Sequence, residues 1–368
     1  MKMGFLAGFV CLLVATVASS GESRLYVGTY TRVEGSRGIY RVDFEGGKLG
    51  EPVLAGEMEN PSFVALSKSG KHLYAVSEVG GADGGRVVSW RVRESGALEK
   101  LNERATGGNG PCHLSLSPDG DTLVVANYGG GSVASFRVEG DGSLSERISF
   151  HQHQGSSVDP KRQKEPHAHS VNFSPDGRFV YAADLGTDRI YRYQTAADGT
   201  ISPAGETRVD SGSGPRHFTF RPDGSFAYVI NELTRTITAF RASDDGSLDS
   251  FQTISTLPDE AAPAGSTAEV LAHPSGRFLY GSNRGHDTIA VFRIDPEQGT
   301  LIRVENESVR GKTPRGFVLS PDGKWLLAAG QQSGTIAAFS IDPGTGALDF
   351  TGSEIRVDSP VCLRFQPN

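Results

Sequence analysis

A four-residue turn, Ser-Pro-Asp-Gly or a near variant, recurs six times and governs what this chain can become. Its glycines are Gly70, Gly120, Gly177, Gly224, Gly276 and Gly323, separated by 50, 57, 47, 52 and 47 residues. A period near 50 is that of a propeller blade. Proline and aspartate at the centre with glycine after them specify a type I turn, so each copy joins two strands of a hairpin. An apolar strand precedes each turn, such as His113–Leu116 or His217–Phe220, and another follows, such as Phe179–Ala183. A third run alternates, as in Arg189–Tyr193, and a turn such as Asp141–Leu144 leads to a poorer fourth. Four strands per unit make a blade.

Six turns do not limit the ring to six blades. Pro360–Phe365 reads as a first strand with no hairpin after it. Leu25–Tyr30 and Gly38–Val42 read as second and third strands with no first strand before them. Together they complete a seventh blade. The expected fold is all-β: one seven-bladed β-propeller over residues 21–368, with one blade closed by N- and C-terminal strands. Such closure limits edge exposure and makes a monomer sufficient.

Residues 1–20 read as an export signal, with Lys2 as the positive start, an apolar run from Phe5 to Val17, and small residues at Ala18, Ser19 and Ser20. The expected location is periplasmic or secreted. The net charge is -7 with no basic run, which disfavours nucleic acid and anionic membrane surfaces as partners. Beyond the signal only Cys112 and Cys362 remain. They are expected to be buried free thiols, since their blades are not neighbours.

Each turn glycine serves as a ruler. Eight residues before it, at the entrance to the innermost strand, stand Ser62, Cys112, His169, Arg216, Ala268 and Arg315. Eight residues after it, where the second strand leaves, stand Glu78, Tyr128, Leu185, Glu232, Arg284 and Gln331. Both sets should open onto one end of the central channel. A purely structural repeat would fill equivalent places with similar residues; these differ and are mostly polar. His113 and His217 lie one residue further in, and Asn127, Asn231 and Asn283 one residue before the second set. One acid, several cations and amides around a funnel suit a small anionic or carbonyl-bearing ligand. Arg216 with Glu232 also reads as a structural ion pair, and Arg284 with His286 and Asp287 as a loop brace. His151 and His153 lack a nearby carboxylate set and are expected in an exposed loop. Gly129–Gly131 has no helix after it and reads as a tight turn. No nucleophile elbow, Walker loop or zinc spacing is present, and no cofactor or metal is called for.

More specific stretches are Tyr26–Thr31, Ala126–Ser132, Arg162-Gln163 before Pro166–Ser170, Asp184–Asp188, Gly214–His217, Asn231–Leu233 and Ser282–Asp287. In these the chain resembles the lactonase family of seven-bladed propellers, which includes propeller-type 6-phosphogluconolactonases and carboxy-muconate lactonizing enzymes. The resemblance implies an active site of a histidine, two arginines and a glutamate, carried here by His169, Arg216, Arg284 and Glu232, with His167 as the alternate histidine. It implies opening of a lactone, an anionic one in expectation, by acid–base chemistry without a metal. The proton acceptor is His169 or Glu232, and Arg216 and Arg284 hold the anion. His167, His113, Asn127, Tyr128, His217, Asn231, Asn283 and Arg315 are the candidate substrate-binding residues. Glu232→Gln and Arg216→Ala are expected to lower turnover with little change in unfolding. The rival readings are a non-catalytic binding propeller and a muconate-type cycloisomerase. An export signal sits poorly with a phosphorylated cytoplasmic substrate.

Overall fold

The computed structural model describes residues 23–32, 35–81, 84–261 and 265–367; the expected signal segment lies outside them. Seven antiparallel sheets follow one another around an axis. Blade 1 begins at Val64–Leu66, blade 2 at Pro111–Leu116, blade 3 at Ala168–Phe173, blade 4 at Pro215–Phe220, blade 5 at Ser266–Ala272 and blade 6 at Pro314–Leu319. Each opening strand is innermost, and the next three step outward in chain order. Blade 7 takes its inner strand from Pro360–Phe365, which pairs antiparallel with Ser23–Thr29. Gly38–Glu45 follows, flanked by Lys48–Leu49 and Val53–Glu57. The ring therefore closes through the strands named from the sequence.

The turn glycines have φ between 65° and 87°, a region open to glycine and costly for a side chain. In blade 2 the Gly120 amide donates to the Ser117 carbonyl and the Asp119 carboxylate accepts from the Asp121 amide. The turn is thus a type I turn closed by a left-handed residue.

Apolar side chains from facing blades fill the space between sheets. One such layer packs Phe226, Tyr228 and Ile230 of blade 4 against Val270, Leu279 and Phe292 of blade 5. A tyrosine four residues after the turn glycine ties this layer together. The hydroxyls of Tyr181, Tyr228 and Tyr280 donate to the carbonyls of Gly246, Gly299 and Gly346 at 2.7, 3.0 and 2.9 Å. Each acceptor lies in the next blade, between its third and fourth strands. Tyr26 of blade 7 does the same with Gly96 of blade 1. A buried phenol needs such a partner. Tyr74 holds the same place in blade 1, and its buried hydroxyl has none among the described residues.

Candidate active site

The site grows from a local irregularity in the inner strands. In blade 3, Ala168 pairs with Asp184 and Ser170 with Ala183, which leaves His169 as an extra residue. Cys112, Arg216 and Arg315 are the extra residues of blades 2, 4 and 6. In blade 5, Ala268 and Glu269 together oppose Ser282. A bulge breaks the strict alternation of side chains and re-aims them. That is how neighbours such as Arg216 and His217 are both buried near the axis. The bulges coincide with the ruler position eight residues before each turn glycine.

Glu232 leaves the second strand of blade 4, its amide held by the Gly214 carbonyl at 2.7 Å. Its Oε2 accepts from Arg216 Nε at 3.0 Å and lies 2.9 Å from Arg284 Nη2. His169 Nε2 stands 3.8 Å from the same oxygen, too far for a hydrogen bond. The structure thus brings His169, Arg216, Glu232 and Arg284 to one place. Arg216, His169 and Glu232 are 2%, 4% and 4% exposed.

Arg162 is a partner that the ruler could not find, because it lies in the long excursion between blades 2 and 3. Its Nη2 donates to Glu232 Oε1 at 2.7 Å and to the Tyr128 hydroxyl at 3.0 Å. Asp188 anchors the excursion. Its carboxylate accepts from the Gln163 side chain, from the Gly212 and Gly214 amides and from Ser157. Asp184 holds the neighbouring turn by accepting from the His167 and Thr187 amides. These contacts give a physical role to both ends of the Asp184–Asp188 stretch.

Tyr128 forms the other wall. Its ring stacks on His167 at 4.6 Å and meets His169 edge-on at 4.9 Å. His167 Nδ1 bonds the Tyr128 carbonyl at 3.0 Å, so His169 is the histidine that faces Glu232. Arg315 sits over the Tyr30 ring, 5.4 Å from its centroid. It has no protein hydrogen-bond acceptor among the described residues. Glu78 accepts from the Tyr30 hydroxyl at 2.8 Å and pairs with Arg32.

The charge state follows from these neighbours. Burial pushes the Glu232 carboxyl up, but Arg284, Arg216 and Arg162 together pull it down, to about 2. Burial, with Arg216 and His217 next, holds His169 well below its ordinary value, so its imidazole is neutral at neutral pH. Burial, Arg315 and Arg284 bring Arg216 down to about 9, and it stays charged. The site is one fixed carboxylate in an excess of guanidinium charge, with a neutral imidazole beside it. Its open positions favour an anion over a metal cation.

Several expectations need correction. The Asn127, Asn231 and Asn283 amides were expected to face substrate. They are buried and bond within their own surroundings, to Ser132, to Thr236 and Thr238, and to Thr256 and Thr288. They close the hairpin between second and third strands. His153 was expected in an exposed loop. It is buried, with Nδ1 2.6 Å from Asp184 and Nε2 2.8 Å from the Tyr193 hydroxyl; the carboxylate it needed lay 31 residues away. His286 bonds Thr288, and the Asp287 carboxylate accepts from the Gly285 amide and from the Thr313 amide at 2.8 Å, so this pair does brace a loop, while Arg284 reaches Glu232 and does more. His113 and His217 lie deeper on the axis, beside Phe63 and Glu269. Cys112 and Cys362 are buried free thiols.

Fold and site define a class: a seven-bladed propeller whose axis holds a buried carboxylate, several guanidinium groups and a neutral histidine. Residues 24–365 match the family described as lactonase, 7-bladed beta-propeller, and the chain belongs to that family. It is 37% identical to the 6-phosphogluconolactonase of Bacillus subtilis strain 168, over 92% of this chain and 97% of that one. Identity with the 6-phosphogluconolactonase of Formosa agariphila is 33%, over 80% of this chain and 86% of that one. The periplasmic gluconolactonase of Pseudomonas aeruginosa superposes with a TM-score of 0.88 at 36% identity, covering 94% of this chain and 99% of that one.

Proposed function

We propose that this protein hydrolyses the ring ester of a sugar-acid lactone at the Glu232 cluster. One observation carries the reading: Glu232 is held by Arg162, Arg216 and Arg284 beside the neutral imidazole of His169. Named lactonases of the same family and length support it.

Water attacks the lactone carbonyl carbon, and His169 takes its proton. Glu232, locked to arginines and strongly acidic, is the poorer base; its negative charge stabilises the imidazolium as it forms. The carbonyl oxygen becomes an oxyanion within reach of Arg284, whose buried Nε has no partner among the described residues. The tetrahedral intermediate collapses with cleavage of the bond to the ring oxygen, and His169 returns the proton to that oxygen. The product is a hydroxy acid, which releases one proton to water as its carboxyl ionises. In this reading guanidinium groups supply the positive charge that a metal would otherwise bring.

Arg315 and Arg162 are the cations best placed for an anionic arm of the substrate. Arg216 is held by two bonds, Nε to Glu232 at 3.0 Å and Nη1 to the Ala268 carbonyl at 2.6 Å; its first role here is to support Glu232. Residues 1–20 direct export, and the mature protein works outside the cytoplasm as a monomer, with no membrane or nucleic-acid partner. An unphosphorylated lactone fits that location best.

The test is a pH-stat assay on a panel of aldonolactones with and without phosphate, run with and without a chelator. Acid release that survives the chelator is expected. A propeller that only binds would leave every lactone intact, and NMR of the products would expose a cycloisomerase.

A further inference from the structure

The inner strands run from the Glu232 end of the axis to the opposite face, where the turn glycines lie. A second recess, of about 330 Å³, opens there. That volume suits a compact ligand. Apolar side chains, Leu116, Leu271 and Phe365 among them, share its walls with polar groups. Its polar groups are not demanded by the fold. Seven residues before the turn glycine stand His113 and Glu269, which line the recess from blades 2 and 5, and His217 of blade 4, which bonds Glu269 from outside the lining; blades 1 and 6 carry Phe63 and Gly316 there. Arg364 adds a charge from blade 7.

These groups present a defined pattern of donors and acceptors. His113 Nδ1 accepts from the Val171 amide at 3.3 Å, so a neutral ring carries its proton on Nε2 and donates from there. Arg364 lies 4.5 Å over the Phe63 ring, and only its Nη1 is used, on the Leu363 carbonyl. Its other N–H groups remain as donors. Glu269 Oε1 accepts from His217 Nδ1 at 2.7 Å and from the Val270 amide at 3.1 Å. Its Oε2 has no protein partner among the described residues. Burial pushes this carboxyl up and the two imidazoles down, as expected of charges kept from water. Two donors beside one free acceptor, with Leu116, Leu271 and Phe365 alongside, form a site for a carboxylate with an adjacent hydroxyl.

We propose that this recess is a second small-molecule site, separate from the Glu232 cluster, that takes a compact 2-hydroxy carboxylic acid with an apolar body. The carboxylate would bind Arg364 and His113, and the hydroxyl would donate to Glu269. A hydroxyl costs less to desolvate here than an ammonium group.

The site uses none of the four residues assigned to chemistry, so its test is independent of lactone turnover. The probes are 2-hydroxyisocaproate and isocaproate, titrated calorimetrically into the mature protein and into Arg364→Gln, Ser115→Phe and Glu232→Gln. The hydroxy acid should bind about tenfold more tightly than its deoxy analogue, the worth of one charge-assisted hydrogen bond. Arg364→Gln should abolish binding, and so should Ser115→Phe, which fills the recess without removing a charge. Glu232→Gln should leave it intact. Lactone turnover by Arg364→Gln reports that the variant is folded. Equal binding of both probes, no binding of either, persistence of binding in Arg364→Gln and Ser115→Phe, or its loss in Glu232→Gln that circular dichroism shows to be folded would each overturn the proposal.

Discussion

Arg216 and Glu232, sixteen residues apart in one blade, form an almost fully buried ion pair, Nε to Oε2, at 3.0 Å. The pair is the floor of a cluster in which Arg284 and Arg162 also reach the carboxylate. Removing one member of a buried pair strands the other, at about 3–5 kcal/mol. Glu232→Gln should therefore unfold at markedly lower denaturant and also lose turnover. That revises the expectation, drawn from the sequence, of unchanged unfolding. Urea titration and a lactone assay below the unfolding transition separate the two effects. A variant as stable as the parent would mean that the arginines do not depend on this carboxylate.

Acid should act through the same residue. The Glu232 carboxyl titrates at about 2 in the fold against an ordinary 4.5. For a depressed acid, the stabilisation is complete above the unfolded value and disappears as pH falls through the folded one. The shift corresponds to about 3 kcal/mol, lost between about pH 4.5 and pH 2. Unfolding free energies measured across that window should fall more steeply for the parent than for Glu232→Gln. Parallel curves would place the acid sensitivity elsewhere.

The rate should follow His169. Burial and the neighbouring cations hold its imidazole neutral, so the acid limb of kcat/KM should lie below the ordinary histidine range. Arg216→Lys retains a charge but loses the fixed fork, and it should depress kcat without restoring an ordinary histidine profile. His169→Gln should remove the limb and lower kcat by about 10²–10⁴-fold. A limb that survives His169→Gln would transfer the proton to another group.

The tyrosine pattern gives a control far from the site. Tyr228→Phe removes a buried bond to the Gly299 carbonyl and should cost about 1 kcal/mol. Tyr74→Phe removes a buried hydroxyl with no partner, so it should be neutral or stabilising. Equal losses in denaturant titration would mean that Tyr74 is satisfied in solution.

The six turns made the ring legible because every blade repeats the same hairpin chemistry. The closure was legible because the unmatched first strand at one end of the chain complements the unmatched second and third at the other. The ruler found His169, Arg216, Glu232 and Arg284 because position in a repeat maps to position on the axis. It also selected Asn127, Asn231 and Asn283, because chain position does not tell which way a side chain turns. Arg162 escaped because the excursion has no counterpart in the other blades. Glu269 occupies the same ruler position as His113 and His217 and could have been found by carrying that position one blade further. The bulges that aim adjacent side chains inward are a matter of pairing, which no single strand reveals.

Arg315 offers the sharpest separation of binding from folding. It stacks near Tyr30 and has no protein hydrogen-bond acceptor among the described residues, whereas Arg216 bonds Glu232 and the Ala268 carbonyl. Its charge repels Arg216 and burial opposes it, but Tyr30, Glu78 and Glu232 raise its pKa against that cost, so the fold favours the charge. Arg315→Gln should therefore cost a little stability, and less than Glu232→Gln, since it breaks no direct ion pair among the described residues. If Arg315 holds the anionic arm of the substrate, KM for an anionic lactone should rise by about tenfold or more, the worth of one charge-assisted hydrogen bond, while kcat changes little. A neutral lactone should show a much smaller rise. A fall in kcat with KM unchanged would place Arg315 at the reacting carbonyl and reverse its role with Arg284.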